Sequence, residues 1–297
     1  MQNIQSTAPL TVKLDSLGHT TDLSKSVSMF KVLWVTTIKD LRIARRYLPD
    51  LIGSFIEVVI RVAVFFLLAN VVTLHGKEGT TQGLTGQELF IFFQGALLLF
   101  LFKGVALWTP ISGVNRDLHN GTLEFIYSNP CSRFAYYLGN VLSGVIISQP
   151  VFIPLYFFLV FFAGANYFNM FMILVACAVT VINLMFFGIM ISLAALLWRQ
   201  AMSIGRILDI AFEFVAGAYF PIYAFPVALQ YFAYILPYTW GYDLVRYYSF
   251  QGNWPTILPV WQEWTILIVY AIFYAFLAIY LLKRVERHAK RQGLHLI

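Results

Sequence analysis

Six stretches of this chain are apolar over the roughly 20 residues that an α-helix needs to cross the hydrocarbon of a bilayer. They lie near 51–73, 89–113, 138–163, 168–197, 203–221 and 259–282. Inside hydrocarbon each backbone N–H and C=O must find its partner within the protein, so runs of this length fold as helices. The expected fold class is an all-α membrane protein: six transmembrane helices, an N-terminal amphipathic interfacial helix, and re-entrant short helices before the last span. Composition agrees, since hydrophobic residues fill 60% of 297 positions and charged residues only 11%, about half the charge of an ordinary soluble domain.

The net charge of +6 does not point to nucleic acid, because the charges sit in short clusters beside apolar runs, where they orient helices in a bilayer. With six spans, Lys13, Lys25, Lys31, Lys39, Arg42, Arg45, Arg46, Arg116, Arg133, Arg199, Arg206, Lys283, Arg284, Arg287, Lys290 and Arg291 fall on or near one side, against Lys77 and Arg246 opposite. The positive-inside rule then predicts a multi-pass protein of the cell (plasma or inner) membrane with both termini in the cytoplasm. The stretch 226–240 is apolar but short and broken by Pro226 and Pro237, so it reads as re-entrant or interfacial. A seventh span there would place the basic tail outside.

The first 27 residues are polar and rich in Ser and Thr, without an apolar run of signal-peptide type, and read as a flexible cytoplasmic tail, 1–27. Residues 28–48 are amphipathic. Phe30, Leu33, Trp34, Ile38 and Leu41 recur at helical spacing among Lys31, Lys39, Asp40, Arg42, Arg45 and Arg46. Such a helix lies in the interface plane, either as an anchor or as a lever touching a partner. The transmembrane domain covers 28–285, and 286–297 is a basic cytoplasmic C-terminal tail.

Catalytic and metal residues are not identified. None of His19, His75, His119, His288 and His295 falls in an expected span, which removes intramembrane haem and HExxH zinc chemistry. Cys131 and Cys177 stand in unrelated settings. Neither a G-x-S-x-G elbow nor a phosphate-binding G-x-x-x-x-G-K-[ST] loop occurs. Work driven by ATP would therefore need hydrolysis on another chain. Charges within spans cost roughly 2.5–3.5 kcal/mol each at a helix centre. Glu57 and Arg61 stand at i, i+4 with the acid first, the favourable order. Lys103 lies in the second span, and Asp209 and Glu213 share a face of the fifth, one turn after Arg206. These groups either neutralise one another between helices or line a polar translocation path.

The loop 113–139 is the richest in pattern. Asn120-Gly121 offers a turn, Thr122 a helix cap, Asn129-Pro130 a stop, and Phe125, Ile126 and Tyr127 an apolar face. It reads as a plain turn or as a docking knob for a cytosolic partner.

At this point a resemblance enters. Asn120-Gly121-Thr122-Leu123-Glu124, then Ser128-Asn129-Pro130 with Ser132-Arg133, and Leu138-Gly139 resemble the loop of type-2 ABC exporter permeases. Ala216-Gly217-Ala218-Tyr219-Phe220-Pro221 with Phe225-Pro226 resembles a later segment of that family. So does Leu236-Pro237-Tyr238-Thr239-Trp240 with Leu244-Val245-Arg246. Asn129 and Ala216 depart from the commoner residues at their places. The resemblance covers 28–285 in the family's order. It implies a permease pairing with a second copy, identical or similar, and with two ABC ATPase subunits that hold ATP and Mg, this chain carrying no cofactor. It implies a connecting helix at 28–48 and a coupling helix near 116–127, with Arg116, Asp117, Thr122, Leu123, Glu124 and Phe125 facing the ATPase. It also implies an outer gate at Pro221, Pro226 and Pro237. The path would be lined by Phe92, Phe93, Leu99, Phe102, Phe212, Phe214 and Tyr219, for export of an amphipathic or apolar substrate such as a drug, lipid, glycolipid or natural product. Two other classes compete: an ion-coupled secondary carrier using Glu57, Asp209 and Glu213, and a membrane-embedded lipid-modifying enzyme, for which no polar cluster is found at a membrane face.

Overall fold

The computed structural model describes residues 28–71, 84, 86–121, 131–197, 207 and 210–292, which contain helices and turns and no strand. Among these residues five helices are long and apolar enough to cross a membrane, through Ile52–Val71, Gln87–Gly113, Arg133–Ala163, Tyr167–Leu193 and Val260–Arg284. Of the fifth expected span, 210–215 is helical and continues into turns at 216–220. The rest of 203–221, apart from Ile207, lies outside the described residues, as do the tail 1–27, Lys77 and the loop 122–130.

Helix α1 (Met29–Arg46) ends in Arg45 and Arg46, where cations favour the negative end of the helix dipole. Its buried residues are Thr36, Thr37 and Asp40, whereas Phe30, Trp34 and Val35 are exposed. A helix that turns polar groups inward and aromatics outward suits a lipid interface. The polar face rests on α4 (Arg133–Ala163), where Thr37 Oγ1 donates to the Gly139 carbonyl at 3.2 Å. Gly139 permits that approach, since a Cβ there would lie 2.8 Å from the Leu33 carbonyl oxygen.

Helix α2 (Leu48–Val71) buries one seam, Val58, Phe65 and Ala69, and exposes Ile56, Ile60 and Leu67 on its other sides. That seam meets α3 (Gln87–His119), the central helix, which packs on α2, α4 and α5 (Tyr167–Leu197). Helix α4 starts at Ser132, whose Oγ accepts from Ala135 N at 3.3 Å, and ends at Gly164 in the left-handed conformation (φ 58°). The turn hands the chain to α5, and Asn183 of α5 donates to the Leu267 carbonyl of α8 (Val260–Gln292) at 3.1 Å.

A helical hairpin occupies the end of the bundle far from α1. A 3-10 turn (Ile222–Ala224) leads to α6 (Val227–Ile235) and α7 (Pro237–Ser249). Pro237 opens α7, a first-turn position where its missing N–H costs nothing. Thr239 Oγ1 and Trp240 Nε1 donate to the Ala233 and Tyr234 carbonyls at 2.6 and 3.0 Å, satisfying the open end of α6. Helix α7 is buried on nearly every side among α3, α5 and α8. It runs to Ser249, well past the apolar stretch 226–240, because the Asp243 carboxylate and an Arg246 Nη find partners inside the bundle.

Gly241 sets how closely α7 approaches α5, since a Cβ there would overlap the Thr180 hydroxyl. Gly241→Leu should therefore push the hairpin outward and cost about 1–3 kcal/mol, the usual cost of overpacking. Thermal unfolding of the detergent-purified protein measures it, and an unchanged midpoint would contradict this packing.

Candidate functional site

Three polar clusters lie along the bundle. The first joins α1, α3 and α4 at the end that carries Arg45, Arg46, Arg133, Lys283 and Arg284. Arg116 Nη2 of α3 donates to Asp40 Oδ1 of α1 at 2.6 Å, and Lys39 Nζ lies 3.0 Å from Asp117 Oδ2. Two opposite pairs thus cross the same junction, Asp40 with Arg116 and Lys39 with Asp117. From α4, the Tyr136 hydroxyl donates to Asp117, and Ser143 Oγ donates to Asp40 at 3.4 Å. Burial raises Asp40 above the ordinary carboxylate range, against the opposing pull of Lys39 and Arg116. A raised folded value favours the folded state most at low pH and loses that contribution as pH rises through it, so at neutral pH the ionised Asp40 is a cost to stability.

Arg116 and Asp117, expected to face a partner, are thus bound to α1 within the chain. They precede the turn at Asn120 and Gly121 (φ 65°), after which the chain enters 122–130. The companion residues Thr122, Leu123, Glu124 and Phe125 lie outside the described residues.

The second cluster sits at mid-bundle. Lys103 of α3, fully buried, pairs with Glu213 at 3.0 Å. Arg61 of α2 pairs with Glu57 at 3.1 Å and approaches Glu213 at 3.7 Å. Tyr219 donates its hydroxyl to Glu213 and accepts from Arg61 Nη1 at 3.4 Å. Phe100 presents its ring to both cations, 3.9 Å from the Arg61 guanidinium carbon and 4.9 Å from Lys103 Nζ. Four of the five intramembrane charges singled out by sequence therefore form one neutral network across α2, α3 and the 210–215 turn of helix. The fifth, Asp209, is outside the described residues. Below the network a cleft of about 590 Å³ opens between α2, α3 and α4 toward the α1 end, reaching Ala44 and Tyr47.

The third cluster holds the hairpin. Asp243 of α7 accepts from Trp254 Nε1 at 2.6 Å and from the Ile257 backbone N–H at 2.8 Å. Arg246 donates to the Ala218 carbonyl at 2.9 Å, with its guanidinium 3.6 Å from the centre of the Phe92 ring. At the head of α8, Glu263 accepts from the Leu258 N–H at 3.1 Å. Arg246, expected on the side opposite the basic loops, is buried, and the Ala218 carbonyl and three aromatic rings replace its hydration. Sequence reasoning did not single out Asp243, Trp254 or Glu263. The spacing of Asp243 and Arg246, three apart on one short helix, was the available signal.

The expected path residues divide. Phe92, Phe93, Leu99 and Phe102 are packed inside the chain, Phe93 on Phe65 and Phe102 on Phe152. The central position of α3 leaves these four no open face. Phe212 is half-buried beside Phe187 and Tyr238, Tyr219 belongs to the charge network, and Phe214 is exposed. Of the expected gate prolines, Pro221 and Pro237 are buried and Pro226 is exposed.

A family model described as ABC-2 type transporter matches residues 31–250. A comparison with curated proteins finds no match.

Proposed function

This chain belongs to the ABC-2 type transporter family as a membrane permease component, and from that premise we propose that it exports an amphipathic or apolar substrate, driven by ATP hydrolysis on separate ATPase chains. Two permease copies would pair with two ATPase subunits, which would hold the ATP and Mg²⁺. The basic end, with α1 and the termini, would face the cytoplasm of a plasma or inner membrane, as its Lys and Arg excess favours. The α6–α7 hairpin would then cap the outer side, with Pro221, Pro226 and Pro237 at its bends.

One observation carries the coupling part of this reading. The crossed pairs Asp40–Arg116 and Lys39–Asp117 bind α1 to the last turns of α3, immediately before the loop 122–130. A push on that loop, where Thr122, Leu123, Glu124 and Phe125 would seat on the ATPase, would move α1 and α3 as one piece. Closure of the two ATPases would thus bias the permease pair from inward to outward opening, a population shift requiring no catalytic residue here. In such a pair the exposed Phe214 and the half-buried Phe212 and Tyr219 are better placed to meet substrate than the four packed residues of α3.

The test is copurification. An ATPase encoded with this permease should copurify with it and hydrolyse ATP faster when an amphipathic substrate is added, and a permease that retains no ATPase would refute the reading. Asp40→Asn separates coupling from folding, because it removes a carboxylate whose burial is already costly. It should leave the unfolding midpoint near wild type while reducing substrate-stimulated hydrolysis several-fold, roughly the effect of losing one charge-assisted hydrogen bond.

A further inference from the structure

The cleft between α2, α3 and α4 is independent of the residues assigned to coupling and to the outer cap. We propose that it binds positively charged amphiphiles, which enter sideways from the leaflet nearest α1. That such a ligand is cargo rests on the export reading, while the binding itself does not.

The depth of the charges is the first argument. The apolar span in α2 begins at Ile52, so at 1.5 Å per residue Glu57 stands about 7.5 Å along the helix from its start and Arg61 about 13.5 Å, near the middle of the span. At that depth the Glu57 side chain remains 58% exposed. One of its carboxylate oxygens, Oε1, meets Arg61, and among the described residues the other has no partner.

The sign of the ligand follows from which charges are already enclosed. Arg61 is held by Glu57, Glu213, Tyr219 and the Phe100 ring, and Lys103 is sealed against Glu213 at 1% exposure. The cations are thus occupied, and the charge open to the cleft is a carboxylate. Tyr47 and Trp108 also line the space, side chains of the aromatic kind that attracts cations. Val58, Leu101, Val105 and Ile147 supply apolar wall for a tail. The volume of about 590 Å³ is that of a pocket for a drug-sized molecule.

Gly104 makes the site testable without disturbing the core, since a Cβ added there meets no atom within 4 Å. The probe is tetraphenylphosphonium, measured by equilibrium dialysis against the purified permease in lipid nanodiscs, with no ATPase or nucleotide present. Wild type should bind it saturably. Glu57→Gln should weaken binding roughly tenfold, the scale of one charge-assisted contact, and Gly104→Leu should weaken it by filling the cleft. Glu57→Gln leaves Arg61 its contacts with Glu213 and Tyr219, so its unfolding midpoint should stay near wild type. The uncharged isostere tetraphenylsilane should bind more weakly and ignore Glu57→Gln. Absence of saturable tetraphenylphosphonium binding, or binding indifferent to both substitutions, would overturn the site. Binding that depends on Glu57 but never stimulates a copurified ATPase would keep the site and show that its ligand is not cargo. Stimulation by neutral amphiphiles without such binding would keep the export reading and remove the site.

Discussion

Lys103→Met should destabilise the protein by about 3–5 kcal/mol, the range seen when one partner of a buried ion pair is removed. Lys103 is the nearest cation to Glu213, at 3.0 Å, and both lie within the bundle. Without it, Glu213 keeps Arg61 at 3.7 Å and the Tyr219 hydroxyl, which do not replace a direct contact at a buried site. The double variant Lys103→Met/Glu213→Leu should recover much of the loss, because removing both partners leaves no uncompensated charge on α3 and Arg61 retains Glu57. Denaturant unfolding of the two variants in the same detergent decides it. A single variant as stable as wild type, or a double variant worse than the single, would contradict the network as described.

Arg246→Met should have an effect of similar size, about 3 kcal/mol, by releasing the outer hairpin. The substitution leaves the buried Ala218 carbonyl without its donor, removes the stacking on Phe92, and takes the positive charge away from Asp243 one turn earlier. Arg246→Lys should recover only part, since an ammonium keeps the charge but loses the planar stacking and the fork of donors. Thermal unfolding combined with labelling of a cysteine placed on α7 would separate global loss of stability from local opening of the hairpin. If Lys fully restores both readouts, the stacking argument fails.

The helical, membrane-spanning character of the chain was legible because long apolar runs admit few other folds. The ion pair within α2 was equally legible, since i, i+4 spacing puts Glu57 and Arg61 on one face whatever surrounds them. The pairing of Lys103 with Glu213 was not, because it joins residues over a hundred positions apart and depends on how α3 meets the 210–215 turn. Hydropathy marked Phe92, Leu99 and Phe102 as apolar without telling a covered helix from an exposed one. That distinction depends on α3 standing at the centre, which only the packing of its neighbours reveals. The burial of α7 was hidden for a related reason: its polar residues Asp243 and Arg246 become core only once Trp254, Ala218 and Phe92 close around them.

The pairing of Glu57 with Arg61 also bears on how the chain enters the bilayer. Among the described spans α2 is the first to be synthesised, and it reaches the bilayer before α3 and the 210–215 turn have brought Lys103 and Glu213 beside it. At that moment Arg61 has only the carboxylate one turn back in its own helix. Carrying its counter-ion with it, α2 can partition into lipid as a nearly neutral segment and wait there, lightly attached on one seam, until the later helices arrive to complete the network.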